Sequence, residues 1–154
     1  MEDIKRILVV SRIMKYSHKA IHYGISLSKK YRAELSVLHI IDTFWLKGWN
    51  VPIISVEEEY KNELKRTKKE LDDIINMEKK KGMVIKELLK EGDPTEEILK
   101  VIDEENIDLV ILPAHEESRF EHFLFGRSNE EIIRKMPCTV LLVKKEPEPL
   151  KEER

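Results

Sequence analysis

Two short, unbroken runs of apolar residues constrain the fold of this chain more than any other feature. They are Ile7-Leu8-Val9-Val10 and Leu109-Val110-Ile111-Leu112. A continuous apolar run of this length is typical of a strand that is covered on both faces. Such strands belong to parallel sheets, because an antiparallel sheet commonly leaves one face in water. We therefore expect both runs at the centre of a parallel sheet.

Helix signals alternate with strand-like segments along the whole chain. The predicted helices cover residues 17–30, 55–81, 93–105 and 128–135, and the predicted strands cover residues 7–10, 34–41, 84–89, 109–112 and 139–143. A β-α-β-α-β-α-β-α-β order predicts a single-domain α/β fold, in which a parallel five-stranded sheet carries helices on both faces. At 154 residues the chain is long enough for one such domain.

Particular residues mark where these helices begin and which faces they bury. Ser17 is a candidate cap, and Ser55 with Glu58 and Ser128 with Glu131 have the spacing of capping boxes. Asp93-Pro94 predicts a cap followed by proline at the first helical position. Helical spacing predicts the buried face of the first helix from Ala20, Gly24, Leu27 and Tyr31.

The first and fourth strands should flank the place where the winding of the sheet reverses. We call this place the switch point; in open α/β sheets it is where ligands bind, at the carboxyl ends of the strands. The segments that follow the two strands are Ser11-Arg12-Ile13 and residues 113–127. The candidate site therefore lies between these two segments.

Charge and cysteine usage exclude several classes of function. The formal net charge is -2, which predicts no nucleic acid and no membrane partner. Cys138 is the only cysteine, which excludes an internal disulfide and suits a reducing compartment. Neither a signal peptide nor an apolar run of about 20 residues is visible, so we expect a cytoplasmic protein. Charged residues make up 38% of the chain, which is typical of a thermophile or of fully solvated helix faces.

The two expected edge strands differ in charge. The third strand carries Lys86 and Glu87, which suits an edge that faces solvent. The fifth strand, Thr139-Val140-Leu141-Leu142-Val143, carries no charge, and an exposed edge of that kind tends to pair with another chain. We predict a homodimer through the last strand, with a two-fold axis. The alternative is that the charged tail folds back over this strand.

Three segments together resemble the universal stress protein family. They are "KRILVV" followed by "YSHKAIHYGISLSKKYRAELSVLHIID", then "EGDPTEEILKVIDEENIDLVIL", then "FGRSNEEIIRKMPCTVLLVKK". The resemblance implies a Rossmann-like, adenine nucleotide alpha hydrolase-like fold with strand order 3-2-1-4-5, which dimerises through the last strand. It predicts a universal stress protein domain over residues 1–145, followed by a disordered charged tail over residues 146–154.

The resemblance also implies which residues would bind a cofactor. ATP-binding members carry an aspartate after the first strand, a Gly-x-x-Gly pair after the fourth, and Gly-Ser or Gly-Thr before the last helix. In this chain Arg12 stands at the aspartate, and Arg127 stands at the Ser/Thr position. Pro113 and Glu116 replace the glycine pair, and Gly126 is retained. The implied site residues are Val10, Arg12, Ile41, Pro113, His115, Glu116, Gly126, Arg127 and Ser128.

These replacements oppose ATP in the pose that the family uses. Pro113 has no N–H to offer a phosphate. Glu116 would bring a like charge towards a polyphosphate, at a cost of about 4 kcal/mol per pair at ~4 Å. Arg12 is donor-only and cannot accept hydrogen bonds from a ribose. We therefore predict no cofactor and no enzymatic activity, and a stress-response protein that acts through binding. An unknown protein is one candidate partner.

Two alternatives remain open. Arg12, Arg127 and the N-terminus of the last helix could bind a nucleotide or a small anion, since all three favour phosphate. The arginines could instead pair with Glu116 and Glu117 and close the site. A weak nucleotide hydrolase would need His115 as a general base, but no nucleophile or metal ligand accompanies that residue.

Other candidate residues have structural interpretations. His18 and His22 have zinc-ligand spacing but no evident third ligand, so surface histidines are expected. His39 is expected to be a core histidine with its hydrogen bonds satisfied, and Cys138 a small buried apolar side chain. Aromatic residues in the loop before the second helix form a partner-binding patch or cover an open end of the sheet: Phe44, Trp45 and Trp49.

Overall fold

Five strands alternate with four helices in the parts of the chain that the computed structural model describes, residues 3–12, 17–42, 54–114 and 127–144. The strands are β1 (Arg6–Ser11), β2 (Glu34–Asp42), β3 (Ile85–Gly92), β4 (Leu109–Pro113) and β5 (Thr139–Val143). The helices are α1 (Ser17–Tyr31), α2 (Ile54–Lys80), α3 (Pro94–Glu104) and α4 (Arg127–Lys135). The predicted α/β order is confirmed. The aromatic loop and the tail lie outside the described residues.

The strands form one parallel sheet in the order β3-β2-β1-β4-β5. β1 lies at the centre, where Leu8 pairs with Ser36 of β2 and with Val110 of β4. This arrangement confirms the predicted strand order and the position of the two apolar runs. The switch point lies between β1 and β4, and β3 and β5 are the edges of the described sheet.

Alternation along β1 divides the core into two layers. Ile7 and Val9 cluster with buried side chains of α1 and α2, whereas Leu8 and Val10 cluster with buried side chains of α3 and α4. Each of these strand residues is fully buried, and burial of such a side chain contributes about 1.5–3 kcal/mol. The central strand therefore holds helices on both faces of the sheet.

The buried face of α1 differs in part from the prediction. It consists of Ser17, Ala20, Ile21, Gly24, Ile25 and Ser28. Leu27 lies at the margin of this face and is half-buried. Tyr31 is the last residue of the helix and is 48% exposed, so its predicted burial is wrong. The buried face is completed by Ser28 in the last turn, so the helix meets the core through a different side chain than the spacing predicted.

Close contact between α1 and β1 depends on Gly24. A Cβ atom at this position would overlap Cγ2 of Val9 and come within 3.2 Å of Cδ1 of Leu35. Both neighbours are buried strand residues with little room to move. The glycine is therefore required by packing.

Replacement of Gly24 by alanine should destabilise the protein, although alanine is the better helix former. The helix propensity gain is about 1 kcal/mol, whereas overpacking a core costs about 1–3 kcal/mol. We expect a net loss of up to about 2 kcal/mol in the free energy of unfolding, measured by urea denaturation. Ser26→Ala is the matched control, because Ser26 is exposed on the same helix. A Gly24→Ala variant more stable than the natural chain would contradict the packing argument.

The beginnings of the helices agree with prediction at α3 and differ elsewhere. Asp93 caps α3, since its carboxylate accepts a hydrogen bond from Thr95 N at 3.1 Å and Pro94 takes the first helical position. The other predicted caps, Ser17, Ser55 and Ser128, lie within the first turn of their helices. A helix can begin a residue early because its first N–H groups need no partner inside the helix.

Loss of the Asp93 cap should cost about 1 kcal/mol of stability, because the N–H of Thr95 would lose its acceptor. Urea denaturation of Asp93→Ala would measure this loss. Asp93→Asn should retain most of the stability, since its amide oxygen can accept the same hydrogen bond. Equal stabilities of the alanine and natural chains would show that the cap contributes nothing.

Candidate functional site

The switch point is built from the ends of two buried strands and the start of one helix. β1 ends at Ser11 and β4 ends at Pro113, and the two strands are paired, with Val9 opposite Ile111. α4 begins at Arg127. The predicted candidate residues His115, Glu116 and Gly126 lie outside the described residues.

Arg12 occupies the position directly after β1 and is only 4% exposed. Its backbone N–H donates to the hydroxyl of Ser17 at 3.1 Å, which ties the start of α1 to the end of the strand. A guanidinium is always charged and carries only donors. The end of the central strand therefore presents a buried cation, where the family resemblance implies an acceptor.

Pro113 is a buried residue of β4, in register with Val143 of β5. Its carbonyl oxygen accepts a hydrogen bond from Nδ2 of Asn129 at 3.0 Å, and Asn129 is itself buried. The next residue, Ala114, donates its N–H to the carbonyl oxygen of Val143 at 2.8 Å. The end of β4 is thus attached both to α4 and to β5.

Asn129 is a site residue that the sequence prediction missed. The only available signal was an amide side chain in the first turn of a helix, and such residues often bond to nearby backbone. The partner of this one lies sixteen residues away in sequence. Only the folded arrangement of β4 and α4 brings the two groups together.

The remaining predicted site residues have mixed placements. Val10 is fully buried in the core layer of α3 and α4, so its side chain lies beneath the switch point. Ile41 is half-buried near the end of β2. Arg127 and Ser128 open α4, but their side chains lie outside the described part of the structure.

The predicted dimer strand β5 is partly accessible. Thr139 and Leu142 are exposed, and Val140 and Leu141 are half-buried. Val143 is buried against the core layer of α1 and α2, so its side chain is not available to a partner.

On β2, opposite Ser11 of β1, His39 is a buried histidine without the expected hydrogen bonds. The residue is 1% exposed, and neither ring nitrogen has a hydrogen-bond partner among the residues that the structure describes. Nε2 lies 3.7 Å from Oε1 of Glu87, beyond hydrogen-bond range. The prediction of a satisfied core histidine is wrong, because the Glu87 carboxylate that faces the ring stays out of hydrogen-bond range. A buried polar group left in this way costs about 1–3 kcal/mol.

Two carboxylates and two lysines surround this imidazole. Lys68 binds both carboxylate oxygens of Asp72, at 3.1 and 2.9 Å, and Lys79 binds Oε2 of Glu87 at 2.8 Å. Burial, followed by the Lys68 ammonium, lowers the pKa of His39, which favours the neutral ring at pH 7. Burial acts to raise the pKa of Glu87, but Lys79 outweighs it and the pKa is lowered.

The other residues singled out in the sequence are structural. Cys138 is half-buried against the core layer of α3 and α4, and burial raises the pKa of its thiol. His22 is exposed, and its ring meets that of His18 edge-on at 6.3 Å between centroids. No helix within the described ranges is both long and apolar enough to cross a membrane.

An open groove of about 550 Å³ lies at the opposite end of the sheet, around the amino ends of the strands. Two ion pairs lie in its lining: Arg6 lies 3.5 Å from Glu34, and Lys86 lies 2.6 Å from Glu105. Exposed pairs of this kind contribute about 0–1 kcal/mol each. Lys29 and Arg32 also line the groove, so basic side chains outnumber acidic ones there.

The arrangement of the switch point can be compared with known proteins. The family model described as "Universal stress protein family" matches residues 3–144. This chain belongs to the universal stress protein family. The match covers every strand and helix described above and includes both segments of the switch point.

Relatives in the family come from archaea and bacteria. A universal stress protein of Methanocaldococcus jannaschii is 27% identical over 92% of this chain and 95% of its own length, and its solved structure gives a TM-score of 0.64 over 95% of this chain and 99% of that chain. A universal stress protein of Methanothermobacter thermautotrophicus is 25% identical over 94% of this chain and 99% of its own length. A universal stress protein solved in complex with cAMP is 17% identical, with a TM-score of 0.58 over 92% of this chain and 98% of that chain. The last likeness shows the fold alone.

Proposed function

We propose that this universal stress protein is a non-enzymatic, cytoplasmic stress-response binding protein whose switch point does not hold ATP in the pose that the family uses. The observation that carries the proposal is Arg12, a buried cation at the end of the central strand. In the ATP-binding pose, a carboxylate at this position accepts hydrogen bonds from the ribose hydroxyl groups. A guanidinium has no acceptor atom and cannot take over this role.

The end of β4 supports the same proposal. A glycine-rich loop binds phosphate through backbone N–H groups that approach the anion closely. Pro113 has no N–H, and its carbonyl oxygen is held by Asn129. The start of the segment after β4 is therefore packed against α4, and it provides one donor fewer to a phosphate than glycine would.

A second candidate function is a sensor of a nucleotide or a small anion at the same place. The buried positive charge of Arg12 favours it, because guanidinium groups bind phosphate and carboxylate strongly. The first turn of α4 would add its positive dipole end, with Arg127 as its first residue. The cAMP complex of one relative is a precedent for a nucleotide within the family fold.

Thermal unfolding with added ligands separates the two functions. We expect no increase in Tm with ATP at sub-millimolar concentration, because binding would raise the unfolding temperature by several degrees. If cAMP, AMP or a simple anion raises Tm, Arg12→Ala should abolish the effect. Arg6→Ala is the matched control, since Arg6 lies at the other end of the same strand.

A rise of several degrees with ATP would reject the first proposal. Ligand stabilisation that survives in Arg12→Ala would reject the second. Phosphate release above a buffer blank, lost on replacement of His115, would instead identify a nucleotide hydrolase.

We also propose that two chains pair through β5 as a homodimer. This strand is an edge of the described sheet, it carries no charged side chain, and Leu142 is 48% exposed on it. At the other edge, Lys86 and Glu87 of β3 are both exposed. An uncharged edge with free backbone groups favours pairing, whereas a charged edge opposes it.

Leu142→Lys should convert the dimer into a monomer, because a two-fold interface would place the new charge beside its own copy. Light scattering at micromolar concentration would give the mass. Leu89→Lys is the matched control, since Leu89 is 54% exposed on the opposite edge strand. A natural chain that is monomeric at this concentration would refute pairing through β5. The remaining explanation would be that the charged tail folds back over this strand.

A further inference from the structure

Three potential metal ligands meet beneath α2, on the side of the sheet that holds β2 and β3. They are His39 of β2, Asp72 of α2 and Glu87 of β3, and each offers one ligand atom within 4.8 Å of the others. His39 lies two residues after Val37, which belongs to the core layer of α1 and α2. Alternate side chains of a strand share a face, so the imidazole points into the layer that contains α2.

We propose that these three residues form a binding site for a divalent first-row transition cation, with Zn²⁺ as the representative ion. A neutral imidazole nitrogen and two carboxylate oxygens are ligands that Zn²⁺ accepts, and the softer imidazole disfavours Mg²⁺ and Ca²⁺. The buried ring of His39 has no hydrogen-bond partner at either nitrogen among the described residues, and it is directed at one of these carboxylates. A metal ion would supply the missing partner.

The distances suit a small cation after a modest inward movement. Tetrahedral Zn²⁺ with bonds of about 2.0–2.1 Å holds its ligand atoms roughly 3.3 Å apart. Nε2 of His39 and Oε1 of Glu87 are already 3.7 Å apart. The other carboxylate oxygen, Oε2, binds Lys79, and this contact would orient Oε1 towards the ion.

The ammonium of Lys68 competes for the same place. It binds both oxygens of Asp72 from one turn earlier on α2, and its side chain is partly exposed. Entry of a cation therefore requires Lys68 to leave Asp72 for solvent. The exchange replaces one positive partner of the carboxylate by another, and it removes the group that most directly repels a metal ion from the site.

A cation at this site would connect three elements that the chain brings together only by folding. It would fasten the middle of α2 to the β2–β3 edge of the sheet, at a buried position. The site is structural in character and does not depend on the proposed function of the switch point.

The test uses the full chain, freed of metal with EDTA and then titrated with ZnCl₂ in a calorimeter. We expect one ion per chain, and a rise in Tm of roughly 5–10 °C at a free Zn²⁺ concentration of 100 times Kd. His39→Gln and Glu87→Gln should each weaken the affinity by at least about a hundredfold, since even indirect partners of a metal contribute 10–100-fold. Co²⁺ in place of Zn²⁺ should give a visible absorption band that both variants lose.

Lys68→Met keeps all three ligands and removes the competing ammonium, so it should bind Zn²⁺ at least about tenfold more tightly. His22→Ala is the control for adventitious binding, because His22 is exposed and has zinc-ligand spacing with His18. Zinc stabilisation that persists in both ligand variants, or that is lost only in His22→Ala, would overturn the proposal. So would unchanged or weaker affinity in Lys68→Met, or the absence of any Tm increase with Zn²⁺ and Co²⁺.

Discussion

Burial of both faces of β1 is the constraint on which the rest of this structure depends. Successive side chains of this strand point to opposite faces of the sheet. One set packs against α1 and α2, and the other packs against α3 and α4. From Ile7 to Ser11 the strand is buried, and the residue that follows it, Arg12, is buried as well. The central strand therefore ends in a buried cation.

That placement explains how one fold can carry different chemistry at the same point. The parallel sheet brings the ends of β1 and β4 together whatever residues stand there. In this member of the family, those residues are a buried guanidinium and a proline whose carbonyl oxygen is bound by Asn129. The scaffold is shared, whereas the hydrogen-bonding groups at the strand ends are set by these two residues: Arg12 adds donors at the end of β1, and Pro113 provides no N–H at the end of β4.

The sequence was sufficient for features that depend on short-range chemistry. Unbroken apolar runs identified the two central strands, charges at Lys86 and Glu87 identified an edge, and Asp93-Pro94 identified a helix start. Features that depend on distant partners could not be predicted. The exposure of Tyr31 depends on which side of α1 faces the core, Asn129 acts on β4, and the unsatisfied ring of His39 follows from which groups β3 and α2 place around it.

The unequal edges of the sheet have a consequence for how far any assembly can extend. One side ends in β3, with exposed lysine and glutamate side chains, and the other ends in the uncharged β5. If two chains were to join along their uncharged sides, both outer borders of the continuous ten-strand sheet would be charged β3 strands. A charged β3 edge opposes pairing with a strand of a third chain. Growth of the sheet into a fibre therefore stops once two chains have paired.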